Sequence, residues 1–149
     1  MRIALAVHVL AVAGWVGGMA FALFALRPAL GLLAPPVRLG VMARVFARFL
    51  PAAGVAVVAV LASGAAMIAA RGGLSGLPAG VHAMIGLGLV MSVVYAYVVF
   101  VPWPRLRAAV ASEAWPVAGA AAESIRRAVL LNLALGVVAI VAAFAGGPG

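Results

Sequence analysis

Four long apolar runs divide the chain: Ile3 to Leu26, Phe49 to Ala70, Val81 to Val101 and Ala128 to Ala145. Crossing a hydrocarbon core of ~30 Å takes roughly 20 residues at ~1.5 Å rise each. The first three runs reach that length outright. The fourth reaches it by extending back through Arg126 and Arg127, whose long side chains can place their charge among headgroups. Lipid offers no partner for backbone N–H and C=O groups, so every run is expected to be helical despite its valines and glycines. The predicted fold class is all-α: a single integral membrane domain over 1–149, a four-helix transmembrane bundle with spans near 3–26, 49–70, 81–101 and 126–145.

The breaks between runs agree with this division. Pro28 follows the first run, Pro35-Pro36 interrupts the connection, and Pro51 sits where the start of a second helix tolerates it. The segment "RGGLSGLPAG" (71–80) is rich in turn residues, and "VPWPRL" (101–106) ends the third run. The next stretch, "LRAAVASEAWPVAGAAAESIRR", is polar enough to lie at the membrane interface or to lengthen the flanking helices.

Composition excludes a soluble domain: 68% of residues are hydrophobic and 8% charged, too few polar groups to cover a surface in water. With no cysteine, disulfides and thiolate metal sites are absent. All ten basic residues are arginine, the only acids are Glu113 and Glu123, and the formal net charge is +8. The arginines cluster between apolar runs, which fits anionic headgroups of the lipid bilayer and gives no reason to expect a nucleic-acid partner. Arg27, Arg38, Arg44 and Arg48 lie in the first connection, Arg105, Arg107, Arg126 and Arg127 in the third, and only Arg2 and Arg71 on the opposite side. Positive charge favours the cytoplasmic side, so a bacterial-type inner (plasma) membrane protein with both termini outside is expected. The alternative, a cleavable signal peptide ending at "AFA" (20–22), would remove His8, but the first run exceeds the roughly 7–15 residues of a signal core.

The interior of the spans narrows the chemistry. They hold no Asp, Glu or Lys, which counts against proton-coupled transport, and no Ser-His-Asp set or carboxylate pair, which counts against hydrolysis. Their polar groups include His8, His82, Asn132, Ser63, Ser92, Tyr95 and Tyr97. His8 and His82 are the only histidines, and both fall near the same end of the bundle, within about one helical turn in depth. Two imidazoles at one depth on facing helices suit the axial positions of a haem b. Trp15 and Gly18 share the His8 face and would wall a macrocycle, and Gly86 lies one turn after His82. Such a protein would transfer electrons, with a membrane quinone as redox partner; as an enzyme it would be a membrane oxidoreductase.

Each feature also has a plainer explanation. The histidines can sit at the interface, Gly14 and Gly18 can serve close helix packing, and Met19, Met67, Met84 and Met91 can fill core space. Asn132 is expected to hydrogen-bond between helices, and Arg44 and Arg48 to anchor the chain in headgroups. A further function stays open: a cofactor-free subunit packing into a homo-oligomer or larger membrane complex.

The segments "HVLAVAGWVGGMAFALFALRPAL" (8–30), "VHAMIGLGLVMSVVYAYVVFVPW" (81–103) and "IRRAVLLNLALG" (125–136) resemble the small CopD-like membrane proteins. More distantly they resemble HemJ-type protoporphyrinogen oxidases, whose first helix opens with a histidine and carries a tryptophan further on. The resemblance implies a four-helix membrane fold and, for the HemJ branch, a haem b held by His8 and His82. Where the HemJ pattern places a lysine two positions after its second histidine, this chain has Met84, a departure that bears on oxidase activity. The CopD likeness implies copper handling, as copper uptake or tolerance with His8, His82 and Met84 or Met19 as passing ligands.

Overall fold

The computed structural model describes residues 1–145; residues 146–149 of the domain expected over 1–149 lie outside the described part. The described residues are helical with short connections and contain no strand. Four helical segments are long and apolar enough to cross a membrane, as the run pattern predicts: Arg2–Leu30, Pro35–Ala70, Ala79–Ala111 and Trp115–Phe144.

The first segment starts as α1 (Arg2–Phe21), opens into a π-helical turn over Ala22–Leu26 and closes as α2 (Arg27–Leu30). Pro28 accounts for the wide turn: it has no N–H for the Phe24 carbonyl, and its ring crowds that carbonyl. One extra residue turns the following face by about 100°, and Arg27 and Leu30 then face the rest of the bundle. α3 (Pro35–Ala70) starts at Pro35, well before the span expected from 49, and Pro51 lies inside it on an exposed position. At ~1.5 Å per residue its 36 residues run about 54 Å, well beyond a ~30 Å core. Gly72, Gly73 and Gly76 take φ of 84°, 110° and 86° in the following turn, where a side chain would be strained.

α4 (Ala79–Phe100) ends at Val101, and α5 (Pro102–Ala111) continues it past Pro102. α6 (Trp115–Ala145) also begins ahead of the span expected from 126. The polar stretch from 106 to 127 therefore lengthens the flanking helices, turning over at Glu113 with φ 56°. The expected boundaries miss these extensions because charge lowers hydropathy without ending a helical pattern. Leu39, Phe46 and Leu50 are buried at helical spacing, while Arg44 and Arg48 lie exposed between them.

α1 packs along α3, α4 along α6, and α5 along α6, whereas α1 and α4 do not pack along each other. The arginine-rich end is densely filled. Leu39, Phe46, Leu50, Val98, Leu106 and Ile125 interlock there with Ala109, Ala118, Ala121 and Ala122, whose small side chains bring α5 and α6 together. A second cluster at mid-bundle joins Trp15, Met19, Ala53, Val57, Met91 and Leu133. Trp15 meets Tyr95 edge-on at 6.4 Å, and the Tyr95 hydroxyl donates to the Leu50 carbonyl at 2.8 Å. At Gly136 three helices converge, with Val16 Cγ2 and Met91 Cε each 3.1 Å from where a Cβ would stand.

Glu123 ties the arginine-rich end. It accepts from Arg126 Nε at 2.8 Å, Arg127 Nε at 3.2 Å and, across the bundle, Arg27 Nη2 at 3.3 Å. Asn132 is 3% exposed and its Oδ1 has no partner, so the expected interhelical hydrogen bond is not made through that atom.

The two glycines of the Gly14/Gly18 pair differ. A Cβ on Gly18 would lie 2.6 Å from Phe49 Cε2, while nothing lies within 4 Å of one on Gly14. Gly18→Ala is expected to destabilise the bundle by about 1–3 kcal/mol by forcing Phe49 off α1. Gly14→Ala is expected to be neutral or slightly stabilising. Unfolding of both variants by graded SDS in mixed micelles checks the contrast.

Candidate functional site

The two histidines stand at the end opposite the arginine cluster, where the core thins. α1 buries no side chain before Trp15, and α4 none before Met91. Among the described residues, those buried beyond that level are Ser63, Met67 and Ala139, from α3 and α6.

His8 is half-buried and turns toward α3. Its Nδ1 lies 3.1 Å from the Val60 carbonyl and 3.0 Å from Ser63 Oγ. Gly64 makes room for the ring, since a Cβ there would stand 3.6 Å from His8 Cε1. The tautomer follows from the partners. The single hydroxyl proton of Ser63 goes to a carbonyl of its own helix, Ala59 or Val60, leaving Oγ to accept. A carbonyl can only accept, so Nδ1 carries the proton and Nε2 keeps its lone pair. His82 repeats this on a weaker scale: it is exposed, and its Nδ1 donates to the Pro78 carbonyl one turn back, at 3.3 Å. Imidazoles that ligate metals commonly donate their other N–H to a carbonyl in this way.

The remaining expected site residues are placed as follows. Trp15 is 4% exposed and occupied by Tyr95, and Gly18 is covered by Phe49, so both serve the mid-bundle core. Gly86 is exposed, with nothing within 4 Å of a Cβ position. Met19 lies buried in the mid-bundle cluster, away from the histidine end. Met84 is two residues from His82 and therefore on nearly the opposite side of α4. The histidines are thus on helices that do not pack along one another, one turned inward to α3 and the other outward.

Sequence reasoning missed what holds His8. Ser63 and the Val60 carbonyl orient it, and Met67, buried one turn beyond Ser63, supplies a thioether on the same side of α3. The Ser63-x-x-x-Met67 spacing with a neighbouring glycine is the available signal; the pairing of α1 with α3 is not written in it. Among the described residues no group of three or more His, Cys, Asp or Glu could enclose a metal.

A family model described as "CopD: Copper resistance protein D" matches residues 43–145. His82, Ser63 and Met67 fall inside the matched region and His8 outside it. No curated protein and no solved structure matches the chain.

In ¹⁵N spectra of the protein in lipid, His8 is expected as the Nδ1-protonated tautomer when neutral. Ser63→Ala should keep that tautomer, because the Val60 carbonyl remains. A Nε2-protonated ring would show that these contacts do not set it.

Proposed function

The chain belongs to the CopD (copper resistance protein D) family, and from that membership we propose that it is a membrane protein that handles copper at its histidine end. The observation that carries this reading is the orientation of His8, whose Nδ1 is held by α3 so that Nε2 is free to ligate. A resident copper centre built on three or more His, Cys, Asp or Glu side chains does not fit, because no such group forms among the described residues. The donor set suits copper as passing cargo. Imidazole binds copper broadly, and thioether favours the soft cuprous ion, so His8 and Met67 on one side and His82 on the exposed side offer successive weak ligands. Shallow, incomplete coordination favours release as much as capture.

A haem b held by His8 and His82 is the second reading, favoured by the lack of buried side chains on α1 before Trp15 and on α4 before Met91. Haem would supply one-electron chemistry, and exchange with a membrane quinone belongs to this reading. The chain's part would be to present two Nε2 lone pairs, and the bulky mid-bundle cluster would close the space on the inner side.

Cuprous-ion titration of the detergent-purified protein against a chromophoric chelator, with visible spectra before and after dithionite, separates the readings. Copper handling predicts a colourless protein whose affinity falls about 10–100-fold in His8→Ala and roughly tenfold in Ser63→Ala. A Soret band lost in both His8→Ala and His82→Ala would establish the haem reading instead. Copper binding indifferent to His8→Ala, without haem, would overturn both.

A further inference from the structure

A groove lies between α4 and α6 toward the arginine-rich end. It holds about 430 Å³ of space and is largely open to the surroundings. After the turn at Glu113, α6 returns alongside α4, so the lining is graded along both helices. Tyr97, Ser124 and Arg127 line the end nearer the charged cluster, and Val93, Val94 and Leu131 continue the groove about one turn toward mid-bundle. Arg127 donates through Nε to Glu123 at 3.2 Å, and its side chain is 76% exposed, so its Nη groups are open to an acceptor beside the groove. Tyr97 is exposed and its phenol can also donate, whereas the Ser124 hydroxyl spends its proton on the Ala120 carbonyl. Glu123 already takes Arg27 and Arg126 as well, and three arginines against one carboxylate leave net positive charge.

We propose that this groove binds one anionic phospholipid, its phosphate accepting from Arg127 and the Tyr97 hydroxyl and the upper part of one acyl chain lying along Val93, Val94 and Leu131. Depth and charge select the occupant. The polar end falls where the apolar run of α6 begins, the level of tyrosine and arginine at a membrane interface, and the apolar end runs into the hydrocarbon. The groove thus changes from cationic to apolar in the direction in which a phospholipid changes from phosphate to chain. The excess positive charge favours an anionic headgroup over a zwitterionic one. A second copy is a poorer occupant, because a two-fold contact here would set one Arg127 against the other. Glu123 is already shared, and the chain's other acid, Glu113, lies at the α5–α6 turn and not along the groove.

Native mass spectrometry of the full chain in detergent, titrated with dioleoylphosphatidylglycerol or dioleoylphosphatidylcholine, tests this. One phosphatidylglycerol should be retained in clear preference to phosphatidylcholine. Arg127→Gln should weaken that binding about tenfold, the loss expected for one charge-assisted hydrogen bond. Arg48→Gln removes the same charge from an exposed position on α3 outside the groove and should change it little. Val93→Trp, at an exposed position, adds bulk to the groove without touching a charge and should also weaken binding. Equal retention of the two lipids by the unmodified chain would overturn the proposal even if the variants fail to fold. So would equal losses in Arg127→Gln and Arg48→Gln, which would mark a diffuse field, or unchanged binding in Val93→Trp. Displacement of the lipid by glycerol phosphate alone would mark a small-anion site and overturn it too.

Discussion

Hydrocarbon offers no hydrogen-bond partner, and the polar side chains of the spans, Asn132 Oδ1 apart, are arranged around that deficit. Ser63 donates to a carbonyl of its own helix, Ser92 to Gly88, and Tyr95 across to Leu50. His82 uses Pro78 one turn back, and His8 reaches from α1 to Val60 on α3. Only carbonyl oxygens and one hydroxyl already committed as a donor face the histidine Nδ1 atoms. The environment that forces these contacts therefore also sets the ring tautomers and leaves each Nε2 free. The chemistry proposed for this end follows from satisfying the bilayer first.

The two ends of the bundle resolve the same constraint differently. At the arginine-rich end the helices run on past their apolar stretches, and charge can be used: Glu123 gathers Arg27, Arg126 and Arg127 while alanines let α5 and α6 close together. Arg126 and Arg127 share α6 with Glu123, so Arg27 alone carries the pairing across the bundle, from α2 to α6. At the other end nothing large is buried on α1 or α4, and the buried side chains are Ser63 and Met67 on α3 and Ala139 on α6. Dense packing at one end holds the frame, and the looser end is where a ligand can enter without dismantling it.

Much of the frame was legible in the residues. Four apolar runs became four spanning helices, and of the segments quoted for a CopD-like protein, 81–103 and 125–136 fall within the family match over 43–145 while 8–30 lies outside it. The helix extensions were harder to read, because Arg38, Arg44 and Arg48 suggest a linker while Leu39, Phe46 and Leu50 keep the helical period beneath them. Trp15 and Gly18 show the limit for the site. Their spacing with His8 is compatible with a macrocycle wall, yet Tyr95 and Phe49, from two other helices, occupy those faces.

The sequence by itself determined that this chain spans a membrane four times, where its arginines gather, and that its only two imidazoles lie toward the opposite end. These follow from hydropathy, run length and position, which act along the chain. Tertiary structure decided what each side chain meets. Helix rotation is almost unconstrained by uniformly apolar faces, so only packing could turn His8 to Val60 and Ser63, leave His82 outside, and bring Arg27 beside Glu123 with one N–H unpartnered.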